Sequence, residues 1–260
     1  MNALIVAAGL GTRLRPFTET MPKALVPVGG RPMIETQIIK LKKAGFDHIV
    51  INVHHFAEQI IDYVASHDFG IDIRISDERN LLLDTGGAVR KAMKLFPDNS
   101  PVLIHNVDIF STVDIRAFYD AHCTSDSDAS LLVSSRTTSR YLLFDADMHL
   151  TGWENIKTGE YKPVGPSRFS LTIRPQQDAS DFLNGWKEKD MPYAFAGIHI
   201  VSSTLCDALA TWPDVFSIID FYLSVAATHI IQGIVAPPDF QLVDAGRPEM
   251  LPLAATLAKR

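Results

Sequence analysis

A short apolar segment that runs directly into two glycines, near the N-terminus, constrains the fold of this chain more than any other feature. The segment from Ala3 to Ala7 predicts a buried parallel strand that ends before Gly9. Gly9 and Gly11 let the backbone approach a ligand closely and turn its N–H groups inward, as an anion-binding loop requires. Open α/β sheets bind their ligands beyond the carboxyl ends of the strands. The sequence therefore predicts an anion-binding loop at the carboxyl edge of such a sheet.

Strand and helix patterns alternate through the first half of the chain. Apolar residues at helical spacing, as at Ala57, Ile60 and Val64, predict amphipathic helices between apolar strands. Strands separated by helices imply right-handed crossovers and parallel pairing. The predicted fold class is therefore α/β, with a Rossmann-like mixed, mostly parallel sheet flanked by helices. The predicted order is strand Ala3 to Ala7, helix Pro32 to Ala44, strand His48 to Val53, helix Ala57 to Ala65, strand Ile71 to Ser76, helix Gly87 to Leu95 and strand Val102 to His105.

The second half contains more strands joined by short turns. Lys157 to Asp190 is rich in Gly, Pro, Ser and charge and predicts a loop. Helices are predicted over Ser217 to Thr228 and over Arg247 to Lys259. No repeat or low-complexity tail divides the chain, so we expect a single domain over 1–260. The predicted strands are Ala129 to Ser134, Tyr141 to Asp145, Leu150 to Trp153, Tyr193 to Val201, Ile231 to Ala236 and Gln241 to Asp244.

Composition narrows the classes of function. The 260-residue chain has a net charge of −6, which offers no basic footprint for nucleic acid or for an anionic membrane. No apolar run approaches the roughly 20 residues of a membrane helix. Its two cysteines, Cys123 and Cys206, are too few and too far apart for a disulfide framework or a CxxC metal site. We expect a cytoplasmic protein, a monomer or small homo-oligomer, that binds small molecules.

Charged residues complete the glycine loop. Arg13 adds a forked donor suited to phosphate oxygens, and Lys23 adds a compact positive charge. A dinucleotide-binding loop would need a third glycine where Leu14 stands, and the Gly-Lys-Ser/Thr of a Walker loop is absent. A bare Gly-x-Gly would be compatible with an ordinary turn. The longer string, with both cations and the prolines around them, is more specific.

The string from Ala7 to Pro27 resembles the signature of the sugar nucleotidyltransferase family, whose loop wraps a nucleoside triphosphate. The resemblance covers nearly the whole chain. It implies a nucleotide-binding half over about 1–110 and a sugar-phosphate half over about 111–260. It implies catalytic roles in phosphate binding for Arg13 and Lys23. The nucleotide-binding residues that it implies are Ala8, Gly9, Gly11, Thr12, Arg13, Lys23 and Gly86.

Later motifs follow the order of the same family. Gly86 matches a glycine that contacts the base, and the alternative is a plain helix start with Thr85 as its N-cap. Asn106 and Gly197 match positions that contact the sugar. Gly197 lies within a predicted strand, so a strand bulge is the alternative. The resemblance therefore predicts contacts to both substrates.

Two aspartates match the metal ligands of the family. Asp108 follows the fourth predicted strand, and Asp244 precedes the last predicted helix, where the alternative role is an N-cap. Val107 departs from the small residue usual beside the first aspartate. The resemblance implies that Asp108 and Asp244 together hold Mg²⁺, although they lie far apart in sequence. Parallel strand ends share one edge, so we expect the two carboxylates to converge.

The resemblance implies transfer of a nucleotidyl group from a nucleoside triphosphate, UTP, to a sugar 1-phosphate, with release of pyrophosphate. Three segments are most similar to N-acetylmuramate 1-phosphate uridylyltransferases: Asn52 to His55, Ile75 to Arg79 and Asp84 to Gly87. Mannose- and heptose-phosphate guanylyltransferases are near neighbours. A catalytically silent subunit that binds nucleotide sugars is an alternative of another class, and a dinucleotide-dependent oxidoreductase is a third.

Overall fold

A computed structural model describes residues 1–165, 171–185 and 190–259 of the chain. The strands are β1 (Asn2–Val6), β2 (Pro27–Val28), β3 (Arg31–Pro32), β4 (His48–Val53), β5 (Asp72–Asp77), β6 (Val102–Asn106), β7 (Ile109–Ser111), β8 (Ala129–Ser134), β9 (Arg140–Phe144), β10 (Leu150–Asn155), β11 (Glu160–Pro163), β12 (Thr172–Ile173), β13 (Met191–Val201), β14 (Ile231–Val235) and β15 (Leu242–Asp244). The α-helices are α1 (Met33–Lys43), α2 (Ala57–Ala65), α3 (Asp84–Met93), α4 (Ile115–Cys123), α5 (Ala179–Gly185), α6 (Cys206–Ala210), α7 (Ile218–Val225) and α8 (Leu251–Leu257).

One mixed sheet runs through the molecule. In its N-terminal part β1 lies between β4 and β6, with β5 beyond β4, and all four strands are parallel. The antiparallel strand β13 joins β6 to β8 and β9, and β10 to β12 continue the sheet. The mixed α/β class is confirmed, and the parallel part is the one predicted from strand–helix alternation. Because β1, β4, β5 and β6 point the same way, the segments after them meet at one edge.

Helices cover both faces of this sheet. Alternate β1 residues point to opposite faces, so Ile5 packs with α1, α2, α4 and α8, while Leu4 packs with α3, α6 and α7. The amphipathic pattern at Ala57 and Ile60 accounts for α2, whose ends match the prediction. Neither face is left open to water in this part of the sheet. No helix among the described residues is long and apolar enough to cross a membrane.

The structure corrects several element predictions. The region predicted as loop over Lys157 to Asp190 contains β11, β12 and α5, while its residues 166–170 and 186–189 lie outside the described residues. α4 and α6 were not predicted. The last helix is shorter than predicted, because a 3₁₀ turn at Pro248–Met250 precedes α8. Pro252 lacks the N–H that would bond to the Pro248 carbonyl oxygen in a longer helix, which fits this late start.

Candidate active site

The loop after β1 takes its shape from Gly11. Its φ of 65° is left-handed, and a Cβ there would lie only 2.9 Å from Thr18 Cγ2. Thr18 Oγ1 also donates to the Gly11 carbonyl oxygen at 2.8 Å. A larger residue would be strained and would clash, so glycine is required for the turn. A 3₁₀ turn at Thr12–Leu14 follows and carries the predicted residues Thr12 and Arg13.

The start of the loop is held from beneath by a buried side chain. Asn52, at the carboxyl end of β4, accepts hydrogen bonds on Oδ1 from the N–H groups of Ala7, at 2.6 Å, and Ala8, at 3.3 Å. The N–H of Ala8, a predicted nucleotide-binding residue, is therefore bonded to the protein itself. The predicted anion-binding amides begin at Gly9.

Lys23 reaches across Gly9 to the first aspartate. The Nζ atom lies 2.9 Å from Asp108 Oδ2, and both side chains are largely buried, at 14% and 8% exposure. A Cβ on Gly9 would lie 3.6 Å from the same Nζ, in ordinary contact. The structure thus places Asp108 beside Gly9 and Lys23, of which Lys23 lies 85 positions earlier in the sequence, and the prediction placed all three in one site.

Asp244 pairs with the other predicted cation, Arg13, whose Nη1 lies 3.4 Å from Asp244 Oδ2. The backbone route to this position differs from the one predicted. β15 does not join the large sheet but forms a two-stranded ribbon with β7, in which Asp244 lies opposite Ile109. The N-cap alternative is wrong, because the following 3₁₀ turn is capped at Arg247 and α8 begins at Leu251.

The two predicted metal aspartates converge at Gly246. An ideal Cβ built on Gly246 would lie 2.7 Å from Asp244 Oδ1 and 3.1 Å from Asp108 Oδ2. The backbone fixes this approach, since the Ala245 N–H donates to the Asp108 carbonyl oxygen at 2.8 Å. Because Gly246 has no side chain, one carboxylate oxygen from each aspartate and Arg13 Nη2, 2.7 Å from the same point, approach one another here.

The loop that carries Asp108 is supported from behind. Gln37 on α1 donates through Nε2 to the carbonyl oxygens of Val107, at 3.3 Å, and Ile109, at 2.9 Å. The Val107 side chain is fully buried in the core. Its bulk therefore points away from Asp108 and does not narrow the loop, although this position is usually small in the family.

The predicted sugar-binding residues are neighbours. Gly197 has a φ of 73°, and a Cβ there would lie 2.9 Å from Asn106 Nδ2. The pairing of β13 with β8 shifts register between Phe195 and His199, so the strand bulge is present. Left-handed backbone and close packing both require glycine at this position.

Gly86 packs against protein on the side where a residue would carry its side chain. A Cβ there would lie 2.2 Å from Phe216 Cε2, and the Gly86 N–H donates to the Phe216 carbonyl oxygen at 2.8 Å. The close approach of α3 to the segment that carries Phe216 is enough to require glycine at position 86. Thr85 is not the N-cap, because α3 begins at Asp84, and its Oγ1 instead accepts from the Ile218 N–H at 3.0 Å.

Sequence reasoning missed two contributors. Arg136, in the turn after β8, donates through Nη2 to the Phe195 carbonyl oxygen at 2.9 Å. Partial burial lowers the pKa of Arg136, and the negative charge of Asp244 acts in the opposite direction, which puts a third cation within electrostatic reach of the site. No motif marks Arg136 in the sequence.

Glu78, directly after β5, is the second. It is almost fully buried, and burial raises the pKa of its carboxyl above the ordinary value. Its Oε1 accepts from Asn52 Nδ2 at 2.9 Å. Glu78 was noted only within a family motif, and its burial after a strand end gave no separate signal.

Known proteins are similar to this chain in sequence and in fold. The nucleotidyl transferase family matches residues 2–163. The chain is 29% identical over 255 residues to the N-acetylmuramate alpha-1-phosphate uridylyltransferase of Caulobacter vibrioides, covering 95% of this chain and 92% of that one. It is 36% identical over 220 residues to the mannose-1-phosphate guanyltransferase of Debaryomyces hansenii, covering 82% of this chain and 53% of that one. The chain thus spans about half the length of this second relative.

Solved structures show the same architecture. HddC from Yersinia pseudotuberculosis, crystallised with GMP-PN, superposes with a TM-score of 0.70 at 22% identity and covers 98% of each chain. A UDP-glucose pyrophosphorylase from Acinetobacter baumannii superposes with a TM-score of 0.73 at 15% identity, covering 98% of this chain and 91% of that one. At these identities the likeness establishes the fold. The family match over more than half of the chain establishes membership: the chain belongs to the nucleotidyl transferase family, in which these relatives use sugar 1-phosphates, as its resemblance predicted.

Proposed function

We propose that this chain transfers a nucleotidyl group from a nucleoside triphosphate to a sugar 1-phosphate, releasing pyrophosphate. The observation that carries the proposal is the meeting of two cations and two carboxylates, Arg13, Lys23, Asp108 and Asp244, around the glycine loop. These residues come from distant parts of the chain. Their convergence at the carboxyl edge of a parallel sheet is the usual placement of a ligand site in this class of fold.

The nucleophile is a phosphate oxygen of the sugar 1-phosphate. A phosphate monoester has a second pKa near ~6, so it is anionic at neutral pH and needs no general base. This oxygen forms a bond to the α-phosphorus as the bond between that phosphorus and the bridging oxygen breaks, and pyrophosphate leaves. The groups of this chain act on charge: Arg13 and Lys23 stabilise the negative charge that grows on the departing pyrophosphate.

The carboxylate pair suits Mg²⁺. Among the described residues no third His, Cys, Asp or Glu joins Asp108 and Asp244. Mg²⁺ commonly binds through one or two carboxylates with substrate phosphates and water, so this donor set and the lack of a side chain at Gly246 fit it. When bound, Mg²⁺ would neutralise charge between the two anionic substrates. Asp108 and Asp244 are the residues that would hold it.

Substrate binding requires the ion pairs within the site to change partners. Lys23 is paired with Asp108, and Arg13 is paired with Asp244. A triphosphate offers both cations stronger acceptors, and the released carboxylates become available to a cation. Nucleotide and Mg²⁺ are therefore expected to bind cooperatively, and the apo protein to bind Mg²⁺ poorly.

For the substrates we propose UTP and N-acetylmuramate 1-phosphate. The support is the similarity to the Caulobacter uridylyltransferase over 95% of the chain. Of the three consecutive leucines that precede α3, Leu83 is buried and Leu81 is exposed at the surface. The guanylyltransferase relatives make GTP the competing nucleotide.

The test is a screen of ATP, CTP, GTP and UTP against the 1-phosphates of N-acetylmuramate, mannose, glucose and a heptose, scored by pyrophosphate release. UTP with N-acetylmuramate 1-phosphate should give the highest kcat/KM. A higher value with GTP would overturn the uridylyl assignment while leaving the reaction class intact. A folded protein that bound nucleotide sugar but turned over no pair would instead be a silent subunit.

A further inference from the structure

Glu78 is a buried carboxylate that the reaction does not use. It is 2% exposed, and its backbone is fixed, since its N–H donates to the Val53 carbonyl oxygen at 2.8 Å and its carbonyl oxygen accepts from the Leu81 N–H at 3.0 Å. His54 Nδ1 lies 2.7 Å from the same carbonyl oxygen. A carboxylate is costly to bury unless its oxygens are hydrogen-bonded. Its bonding partners are therefore informative.

Both carboxylate oxygens accept from neutral donors that belong to different parts of the site. Oε1 accepts from Asn52 Nδ2 at 2.9 Å, and Oε2 accepts from the Leu83 N–H at 3.3 Å. Asn52 in turn accepts the N–H groups of Ala7 and Ala8 on Oδ1. A continuous chain of buried hydrogen bonds thus links the start of the glycine loop to the residue that precedes α3.

The two ends of this hydrogen-bonded network lie in the two segments that the family resemblance assigns to nucleotide binding. The glycine loop would hold the phosphates, and the start of α3 would lie beside the base. We propose that Glu78 and Asn52 are positioning residues, which set the spacing between these segments so that one nucleoside triphosphate contacts both. The proposal rests on the proposed function in taking a nucleotide as the ligand.

The polarity of the network makes the proposal testable. A carboxylate accepts at both oxygens, which matches the donors Asn52 Nδ2 and Leu83 N–H. A glutamine at position 78 has one acceptor, Oε1, and one donor, Nε2. Its Nε2 must therefore face either Asn52 Nδ2 or the Leu83 N–H, and both of these are donors. Flipping the Asn52 amide does not repair this, because Nδ2 would then face the N–H groups of the glycine loop.

A second substitution restores the match. In the double variant Asn52→Asp, Glu78→Gln, the aspartate accepts from the loop amides with one oxygen and from the glutamine Nε2 with the other. The glutamine Oε1 then accepts from the Leu83 N–H. Every donor again has an acceptor, with the single negative charge moved from position 78 to position 52.

The variants should separate positioning from stability. Glu78→Gln should weaken nucleotide binding roughly tenfold to hundredfold, the effect of one buried group left unpaired. Asn52→Asp should weaken it as well, because it removes the donor to Glu78 and sets two buried carboxylates against each other. KM for the sugar phosphate should not change, and kcat should fall less than nucleotide affinity does. The double variant should recover nucleotide affinity to within about threefold of wild type.

Asp128→Asn is the matched control. Like Glu78, Asp128 accepts one hydrogen bond on each carboxylate oxygen. The donors are the Thr204 hydroxyl and the Ile230 N–H, the latter at 2.9 Å. It precedes β8, which is antiparallel to β13 and so points the same way as β6, placing Asp128 at the opposite edge of the sheet. This variant should lower the melting temperature without weakening nucleotide binding.

The experiment measures calorimetric binding of UTP and GTP with Mg²⁺, alongside steady-state kinetics and thermal melting. Weakened nucleotide binding in both single variants and recovery in the double variant support the proposal. Unchanged affinity in a folded Glu78→Gln, or a folded double variant that stays weak, overturns it. If Glu78→Gln fails to fold, the double variant decides in the same way. Wild-type protein that binds nucleotide without turnover defeats the proposed function, whereas the binding comparison still decides the positioning role.

Discussion

Adding one methyl group at Gly246 should disable the proposed metal site and leave the fold intact. In Gly246→Ala the new Cβ would lie 2.7 Å from Asp244 Oδ1 and from Arg13 Nη2, and 3.1 Å from Asp108 Oδ2. A carbon atom cannot remain 2.7 Å from a non-bonded oxygen, so the carboxylate of Asp244 must swing away. The atoms displaced most are the ends of flexible side chains. The backbone can therefore remain where it is.

The expected magnitudes follow from this geometry. The φ of Gly246 lies outside the left-handed region, so alanine is tolerated there, and reduced chain entropy in the unfolded state should stabilise the fold by up to about 1 kcal/mol. Mg²⁺ needs oxygen ligands at ~2.1 Å in near-octahedral geometry, which displaced carboxylates do not supply. Loss of one preorganised electrostatic element typically lowers kcat about 10² to 10³-fold.

The assay is pyrophosphate release over a range of Mg²⁺ concentrations, with urea unfolding as the control for the fold. Turnover should fall at least about a hundredfold, with a higher Mg²⁺ requirement, while the unfolding midpoint stays at or above wild type. Wild-type turnover with an unchanged Mg²⁺ dependence would refute the idea that the carboxylates share an ion at this position.

Further outcomes are expected at other positions. Lys23→Ala should lower kcat by about 10² to 10³-fold without unfolding the protein, and near-wild-type kinetics would contradict its phosphate role. Asp108→Asn should abolish most Mg²⁺-dependent turnover and lower the free energy of unfolding by roughly 1–3 kcal/mol, because the buried Lys23 ammonium loses its charged acceptor; an unchanged urea midpoint would argue against this pairing. Val107→Gly should lower the free energy of unfolding by about 2–4 kcal/mol through a core cavity, while a large loss of turnover in folded protein would show that Val107 shapes the site. Burial lowers the pKa of His105 and of His199 to about 3, so as the pH falls below the unfolded pKa of ~6.5 only the unfolded chain binds these protons. The free energy of unfolding should therefore fall by about 1.4 kcal/mol per pH unit for each histidine. Equal urea midpoints at pH 7 and pH 5 would contradict this.

Local periodicity was enough to predict the parallel half. The limits of β4 and α2 match the predictions because their apolar patterns and their structural contacts coincide. The start of α3 was missed because Asp84 has a φ of 57°, which no propensity rule anticipates. Gly86 was predicted as a base contact or a plain helix start, and its packing against Phe216 gave no sequence signal. Contacts with residues distant in sequence determine the conformation at these positions.

The residues of the candidate site were predictable from the sequence, but their ion pairs and the strands that carry them were not. Arg13, Lys23, Asp108 and Asp244 were identified by resemblance, and their proximity was expected from the shared edge of a parallel sheet. The ribbon of β7 and β15 that carries Asp244 has only three residue pairs, too short for any periodic signal. Each of the two aspartates also contacts a cation, and no sequence pattern indicated which cation pairs with which carboxylate.

That short ribbon also sets the order in which the site can form during synthesis. β7 leaves the ribosome with the parallel half, but its only strand partner is β15, the last strand that the structure describes. Lys23 and Asp108 are therefore synthesised long before Asp244. A product that ends within the antiparallel half would contain one carboxylate of the pair and would also lack α8, which packs in the same core as β1. Only a chain translated past β15 and α8 supplies both the second carboxylate and the last helix of that core.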